Sequence, residues 1–402
     1  MFVAILTLAV AVLVHKAQCR TASCKLSLKK NLDQKEPLIL TCDNEDSFGW
    51  VMPEVEGEDE GVITLAPGEQ LMLACPGKKN TVKANSNPTA LIDCDEGTLK
   101  IDSAKIAKGG ISCSKSVASS EIFVSEETCG CGADTGVIMQ LGFQVEKVWL
   151  PLVEICHNTS RCTTLYAYHT LPGHSVKGSV KSSQRTSFKK GSNDLFQSIS
   201  PDNLYTKKQQ KVTFKKILGT NSYISSKSFL AKGHLSPDAD FIYNSGQLLT
   251  YFYVNVAPQW QKFNAGNWLS IETTVRSLAA KVNDKLQVYT GTYGILTLKG
   301  KNRIEKKIYL EPTKKLIPVP EIYWKLVRHD ATNTCTVVIG HNNVYLTSPP
   351  SPLCSPVYPS GWPELTNLEK GYTHYCDYNS FLEVVHYVPD LECDDLLEFP
   401  SS

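Results

Sequence analysis

The sequence predicts a mixed α+β protein, a larger domain of strands and helices preceded by a small β-rich, disulfide-stapled module. Three observations predict it. Strand-like, strand-like, helix-like and strand-like stretches follow one another through the middle of the chain. The helix-like stretch carries Ile271, Val275, Leu278 and Val282 at i, i+4, i+7 and i+11, one apolar stripe of helical period. The cysteines are uneven: of fourteen, nine lie from Cys24 to Cys162 and four from Cys335 to Cys393, with none between Cys162 and Cys335.

At 402 residues, with 42% hydrophobic and 20% charged residues, the composition is that of a globular protein and excludes long disorder, collagen-like repeats and a coiled-coil rod. The length suits two or three domains. A net charge of +1, from 41 basic and 40 acidic side chains, excludes a globally basic nucleic-acid binder. The charge is nevertheless segregated. Residues 43–60 carry eight acids and no base, whereas Lys177 to Lys232 holds twelve bases against Asp194 and Asp202. Lys299 to Lys315 adds a second basic run, and Asp390 to Glu398 is acidic again. Positive charge concentrated in the cysteine-free middle suits a polyanion-binding surface there.

Taken in order, the apolar run from Phe2 to Val14, with Lys16 and Ala17-Gln18-Cys19 behind it, reads as a secretory signal peptide over residues 1–19. A secreted, extracellular protein is expected, without a membrane partner, since no later segment has transmembrane length. In that compartment the cysteines form a disulfide framework; no Cys-x-x-Cys pair suggests zinc, and the tight pair is Cys129-Gly130-Cys131. Asn158-Thr159-Ser160 is an N-glycosylation sequon. The Cys-rich module is expected over residues 20–140, from short runs such as Leu38-Ile39-Leu40 and Val62-Ile63-Thr64-Leu65 between turn residues. The larger domain is expected over residues 141–402. The segment Lys147 to Ile155 is read as its beginning, and strands are expected at Thr164 to Thr170, at Tyr251 to Val256 and at Leu286 to Tyr289, with a helix from Asn264 to Asp284.

The stretch that points to chemistry is Ala231-Lys232-Gly233-His234-Leu235-Ser236-Pro237-Asp238. Asn255, Asn264, Glu272 and Arg276 follow His234 at successive spacings of 21, 9, 8 and 4 residues. Glu272 and Arg276, four apart on the expected helix, share a face. No P-loop, Gly-x-Ser-x-Gly elbow or dinucleotide fingerprint occurs.

These residues resemble the secreted and mitochondrial sugar-non-specific DNA/RNA endonucleases of the ββα-metal class, whose signature is Asp-Arg-Gly-His followed by two asparagines, a glutamate and an arginine. Gly233-His234-Leu235-Ser236-Pro237 and Asn255-Val256-Ala257-Pro258-Gln259 look like exported arthropod members, of salivary or gut type. The resemblance covers roughly residues 145–390 and implies a ββα-metal nuclease domain with a mixed sheet and helices. By the same resemblance His234 is the general base toward water. Asn264 is the direct ligand of one largely hydrated Mg²⁺, with Mn²⁺ as a substitute. Glu272 holds metal-bound waters, Asn255 orients the site, and Arg276 clamps phosphate, with Arg185 as an upstream phosphate contact. Ala231 and Lys232 stand where the family has Asp and Arg; Lys232 keeps the charge in the catalytic and nucleic-acid-binding sets but not the planar fork. The implied activity is Mg²⁺-dependent hydrolysis of phosphodiester bonds in DNA, with RNA open as a second substrate, single- or double-stranded and without base specificity. The two departures leave open the alternative of a secreted nucleic-acid-binding protein on a nuclease scaffold with residual cleavage.

Overall fold

A computed structural model describes residues 22–44, 47–106, 110–117, 121–181 and 186–400. The expected signal peptide and Arg185 lie outside the described residues.

A ten-stranded sheet forms the spine of the molecule. Its spatial order is Glu121–Cys129, Gly136–Val145, Val148–Asn158, Thr163–Pro172, Lys285–Tyr293, Ile322–His329, Thr334–His341, Thr373–Cys376 and Pro356–Val357, with Asp395–Leu396 parallel to the start of Thr334–His341. Thr163–Pro172 and Lys285–Tyr293 are neighbours, with Tyr168 opposite Tyr289, so the chain between them is one long insertion on a face of the sheet. Side-chain alternation separates two cores. Ala167, Val288, Tyr323 and Val338 pack with Trp260, Trp268 and Ile271 of the insertion. Tyr166, Tyr289, Trp324 and Ile339 pack on the other face with Tyr378, Phe381 and Val385. No described helix is long and apolar enough to cross a membrane.

Ahead of this sheet lie a three-stranded and a six-stranded sheet built from Cys24 to Lys105. Cys24–Cys94 and Cys75–Cys113 staple them. Cys129–Cys156, Cys335–Cys393 and Cys354–Cys376 bridge the main sheet and the C-terminal segment. Cys131 and Cys162 form no disulfide among the described residues. The module docks through Trp50, which stacks on Tyr243, and through the buried Glu36, whose Oε1 accepts from the Ser245 N–H at 3.2 Å. Its core is continuous with that of the insertion.

Four expectations are corrected. The main sheet begins at Glu121, so a boundary between residues 140 and 141 falls inside the strand Gly136–Val145. The strand Glu121–Cys129 is a mostly exposed edge, and its consecutive Ile122, Phe123 and Val124 show no alternation. Tyr251 to Asn255 is no strand: Phe252, Tyr253 and Val254 are buried, Tyr253–Asn255 is a tight helical turn, and the ladder starts at Val256. The helix from Asn264 to Asp284 is broken. Asn264–Trp268 is a distorted turn with Gly266 at φ −111°, ψ −119°, and the regular helix is Leu269–Val282. Gly266 sits against Lys370, where an added Cβ would lie 2.9 Å from the Lys370 Cβ. Lastly, Asn158 is only 2% exposed; its Nδ2 donates to the Ala133 carbonyl and its Oδ1 accepts from Ser160 Oγ, leaving no room for a glycan on the folded chain.

Candidate active site

Two antiparallel strands, Leu230–His234 and Val256–Trp260, pair with His234 opposite Val256 and Lys232 opposite Pro258. Strand alternation places Lys232 and His234 on one face. Gly233 between them faces Gln259 so closely that a Cβ would lie 2.7 Å from the Gln259 Cβ. The helix Leu269–Val282 is held on the sheet by Ile271, Val275 and Leu278, which turns Glu272 toward the hairpin. Hairpin and helix thus form a ββα unit. A cleft of about 630 Å³ runs along it, lined by Lys232, His234, Asn264, Glu272, Phe188 and Leu269 among others.

The His234 ring lies 5.3 Å from Phe188 and 5.1 Å, edge-on, from Tyr251. The Tyr251 hydroxyl donates to Asp238 at 2.8 Å. The chain beyond His234 is held by Asn255, which is fully buried. Its Oδ1 accepts from the Ser236 N–H at 3.0 Å, and its Nδ2 donates to the carbonyls of Ser236 and Thr250. Asn255 therefore acts on backbone and does not line the cleft.

Lys232 sits in an aromatic box. Its ammonium lies 4.6 Å from the Phe188 ring centre, 4.8 Å from Tyr253 and 6.0 Å from Tyr205, with Asp202 Oδ1 at 4.0 Å. Burial pushes the ammonium pKa down and Asp202 opposes the shift. The Tyr253 hydroxyl donates to Asp202, which closes the box. Cation–π contact and a carboxylate fix the ammonium at the cleft wall.

Asn264, half-buried, projects from the distorted turn, and its side-chain amide has no hydrogen-bond partner among the described residues. The same holds for the Glu272 carboxyl, which burial pushes up to about 7 against the pull of Lys325. Lys325 is buried beneath the helix, where it donates to Thr290 Oγ1 and lies 5.5 Å from the Trp268 ring centre.

Arg276 turns away from the cleft. Its Nη1 donates to the buried Asp240 at 2.8 Å, and Asp240 also bonds His169 Nε2 at 3.0 Å. Burial opposes the Asp240 charge, but the His169 bond and the Arg276 and Lys325 charges outweigh it and hold the carboxyl below its ordinary value. Arg276 lines a neighbouring cavity of about 460 Å³ with Lys177, Lys181 and Gln247. The structure thus brings Lys232, His234, Asn264 and Glu272 into one cleft and sets Asn255 and Arg276 behind it. Sequence reasoning gave no site role to Phe188, Tyr253, Asp202, Asp240 or Lys325; the first four lie in or beside stretches already singled out, whereas Lys325 lies in none.

An imidazole, an ammonium on the wall, and an amide oxygen with a nearby carboxyl are groups of the kind that water attack on a phosphodiester uses. Comparison with known proteins gives the family. The model of the DNA/RNA non-specific endonuclease family matches residues 135–381. A salivary endonuclease of Lutzomyia longipalpis is 33% identical over 328 residues, covering 81% of this chain and 73% of that protein. Salivary protein Tsal2A of Glossina morsitans morsitans is 26% identical, covering 94% of this chain and 95% of that protein. A salivary endonuclease of Culex quinquefasciatus is 24% identical, covering 85% and 81%. On the family match and the Lutzomyia relative together, the chain belongs to the DNA/RNA non-specific endonuclease family.

Proposed function

We propose that the protein is a secreted, Mg²⁺-dependent endonuclease that hydrolyses phosphodiester bonds of DNA, and of RNA as a second substrate, leaving 5′-phosphate ends. The observation that carries the reading is the convergence of Lys232, His234, Asn264 and Glu272 on one cleft.

The donor set fits a hard divalent cation. Asn264 offers an amide oxygen without a protein partner among the described residues, and Glu272 is a carboxyl that burial holds near protonation. Asn264 would hold Mg²⁺ directly and Glu272 through its waters. The bound ion would supply charge neutralisation at the phosphate and at the leaving oxygen. His234, oriented by Phe188 and Tyr251, takes the proton of the attacking water. Lys232 offsets charge on a phosphate oxygen, while Asn255 keeps the chain after His234 in register with its neighbours. Contacts of this kind read phosphate and not base, so little sequence preference follows. Five disulfides among the described residues and the apolar run from Phe2 to Val14 support secretion, as do relatives described as salivary.

A second reading, a nucleic-acid binder with residual cleavage, draws support from Lys232, whose ammonium is already engaged by aromatic rings and Asp202. The test is incubation of the purified protein with plasmid and with double-stranded RNA, with Mg²⁺ and with chelator. Cleavage that requires Mg²⁺ and falls at least about a hundredfold in His234→Ala, with binding retained, is the expected result. Cleavage by His234→Ala at near the wild-type rate would remove His234 as the base.

A further inference from the structure

Two basic runs far apart in sequence meet on one surface outside the cleft. The helix Lys207–Leu218 holds five lysines and no acid. Its inner face is Gln210, Thr213, Phe214 and Leu218, all buried. Lys208, Lys211 and Lys215 therefore point outward, and each is exposed. The hairpin of Thr297–Lys299 and Glu305–Lys307 carries five bases from Lys299 to Lys307 against one acid, Glu305. Arg303 and Lys307 on it are exposed. Helix and hairpin touch end to end: the Lys301 N–H donates to the Leu218 carbonyl at 2.8 Å, and Lys306 Nζ donates to the Ile217 carbonyl at 2.8 Å. Among the described residues, none of these ten cations has an ion-pair partner.

This surface is fastened to the catalytic strand. Gln210 acts as a clasp, with Nε2 donating to the Leu230 carbonyl at 2.8 Å and Oε1 accepting from the Leu230 N–H at 2.9 Å. The helix begins just after Asp202, which lines the cleft, and ends at the hairpin. Its twelve residues span roughly 18 Å, the axial length of about five base pairs.

An ordinary solvated face mixes signs, because like charges at i,i+4 disfavour a helix. Here the helix carries five lysines and no acid, and the hairpin five bases against the single Glu305, in a protein whose totals balance at 41 and 40. We propose that the outer face of Lys207–Leu218 and the Thr297–Lys307 hairpin form a second, non-catalytic site that grips the phosphate backbone of a long duplex while its cleaved segment lies in the cleft. The partner is double-stranded nucleic acid because the surface continues from the cleft on rigid elements and the outward lysines recur at helical spacing along the roughly 18 Å of the helix. The proposal rests on the nuclease reading for what the cleft holds.

The test uses the full chain and two variants, Lys208→Gln/Lys211→Gln/Lys215→Gln and the same with Arg303→Gln/Lys307→Gln. Glutamine keeps the helix propensity of lysine, and circular dichroism checks the fold. Affinity for duplexes of about 6 and about 30 base pairs is measured against salt with chelator present, so binding is read whatever the outcome for cleavage. Cleavage of the short duplex is measured separately with Mg²⁺. Expected is a salt slope on the long duplex shallower by about 0.9 for each phosphate no longer neutralised, at least a tenfold weaker affinity there, and short-duplex binding and cleavage within about twofold of wild type. An unchanged slope on the long duplex overturns the proposal and leaves the nuclease reading intact. Equal losses on both duplexes overturn it in favour of a general field effect. A sulfated oligosaccharide that binds wild type but not the five-site variant, with long-duplex affinity unchanged, overturns it in favour of a polysaccharide partner.

Discussion

Arg276 Nη1 meets Asp240 Oδ1 at 2.8 Å, and Asp240 is 2% exposed. The guanidinium expected at a phosphate is the counter-charge of a buried carboxylate. Removing one partner of a buried pair costs far more than the pair contributes. Arg276→Ala should lower stability by about 3 kcal/mol, the low end for a buried pair because the side chain keeps 18% exposure. Urea unfolding measures the loss; duplex affinity of the folded variant should stay within about twofold. A stable variant with weakened affinity would return Arg276 to the phosphate.

Glu272 ties metal affinity to pH. Burial raises its carboxyl to about 7, so below that value a cation must displace a proton. The half-saturating Mg²⁺ concentration should fall roughly tenfold per pH unit up to about 7 and then level. Glu272→Gln should weaken Mg²⁺ binding about 10- to 100-fold at neutral pH and flatten the profile. Titration of Mg²⁺ against cleavage from about pH 5.5 to about 8.5 checks both.

Lys232→Arg separates enzyme from binder. The rings of Phe188 and Tyr253 beside the ammonium accept a stacked guanidinium, which adds a fixed fork toward phosphate oxygens. A gain of about ten- to a hundredfold in single-turnover cleavage is expected, with binding unchanged. A very low wild-type rate that the substitution leaves unmoved would favour the binder.

Glu36 makes module docking weaken as pH rises from the acidic into the neutral range. Burial raises its carboxyl from 4.5 to about 8, so the folded chain keeps a proton that the unfolded chain has lost. Stability is therefore shed as pH rises from about 4.5 to about 8, on the order of 3–5 kcal/mol, and is flat above. Glu36→Gln keeps an acceptor for the Ser245 N–H and should abolish that decline, seen as unfolding midpoints that converge near about pH 5 and diverge at about pH 8.

What was legible in the sequence was local. The stripe of Ile271, Val275 and Leu278 repeats at helical period because one face is buried, and the spacing of His234, Asn255, Asn264 and Glu272 carried the site. Tyr251 to Asn255 has the composition of a strand, yet burial of its rings uses the same residue types without a ladder. The break at Gly266 follows from packing against Lys370, more than a hundred residues later. The aromatic box of Lys232 and the Arg276–Asp240 pair depend on which elements the sheet brings together, and no spacing encodes that. The first strand of the sheet escaped notice because its apolar residues, Ile122, Phe123 and Val124, are consecutive and do not alternate with polar ones.

The five bridges among the described residues lie at the borders. Cys24–Cys94 and Cys75–Cys113 tie the front module, Cys129–Cys156 the first strands of the sheet, and Cys335–Cys393 and Cys354–Cys376 the tail. From Thr163 to Thr334, through the hairpin, Asn264, Glu272 and the lysine face, there is no sulfur cross-link to form or break, because no cysteine occurs there. Covalent cross-linking and the residues of the cleft thus lie in separate stretches of the chain. Reductant acts on the frame, and the insertion that carries the cleft is held by noncovalent packing alone, part of it against the front module through Trp50 and Glu36.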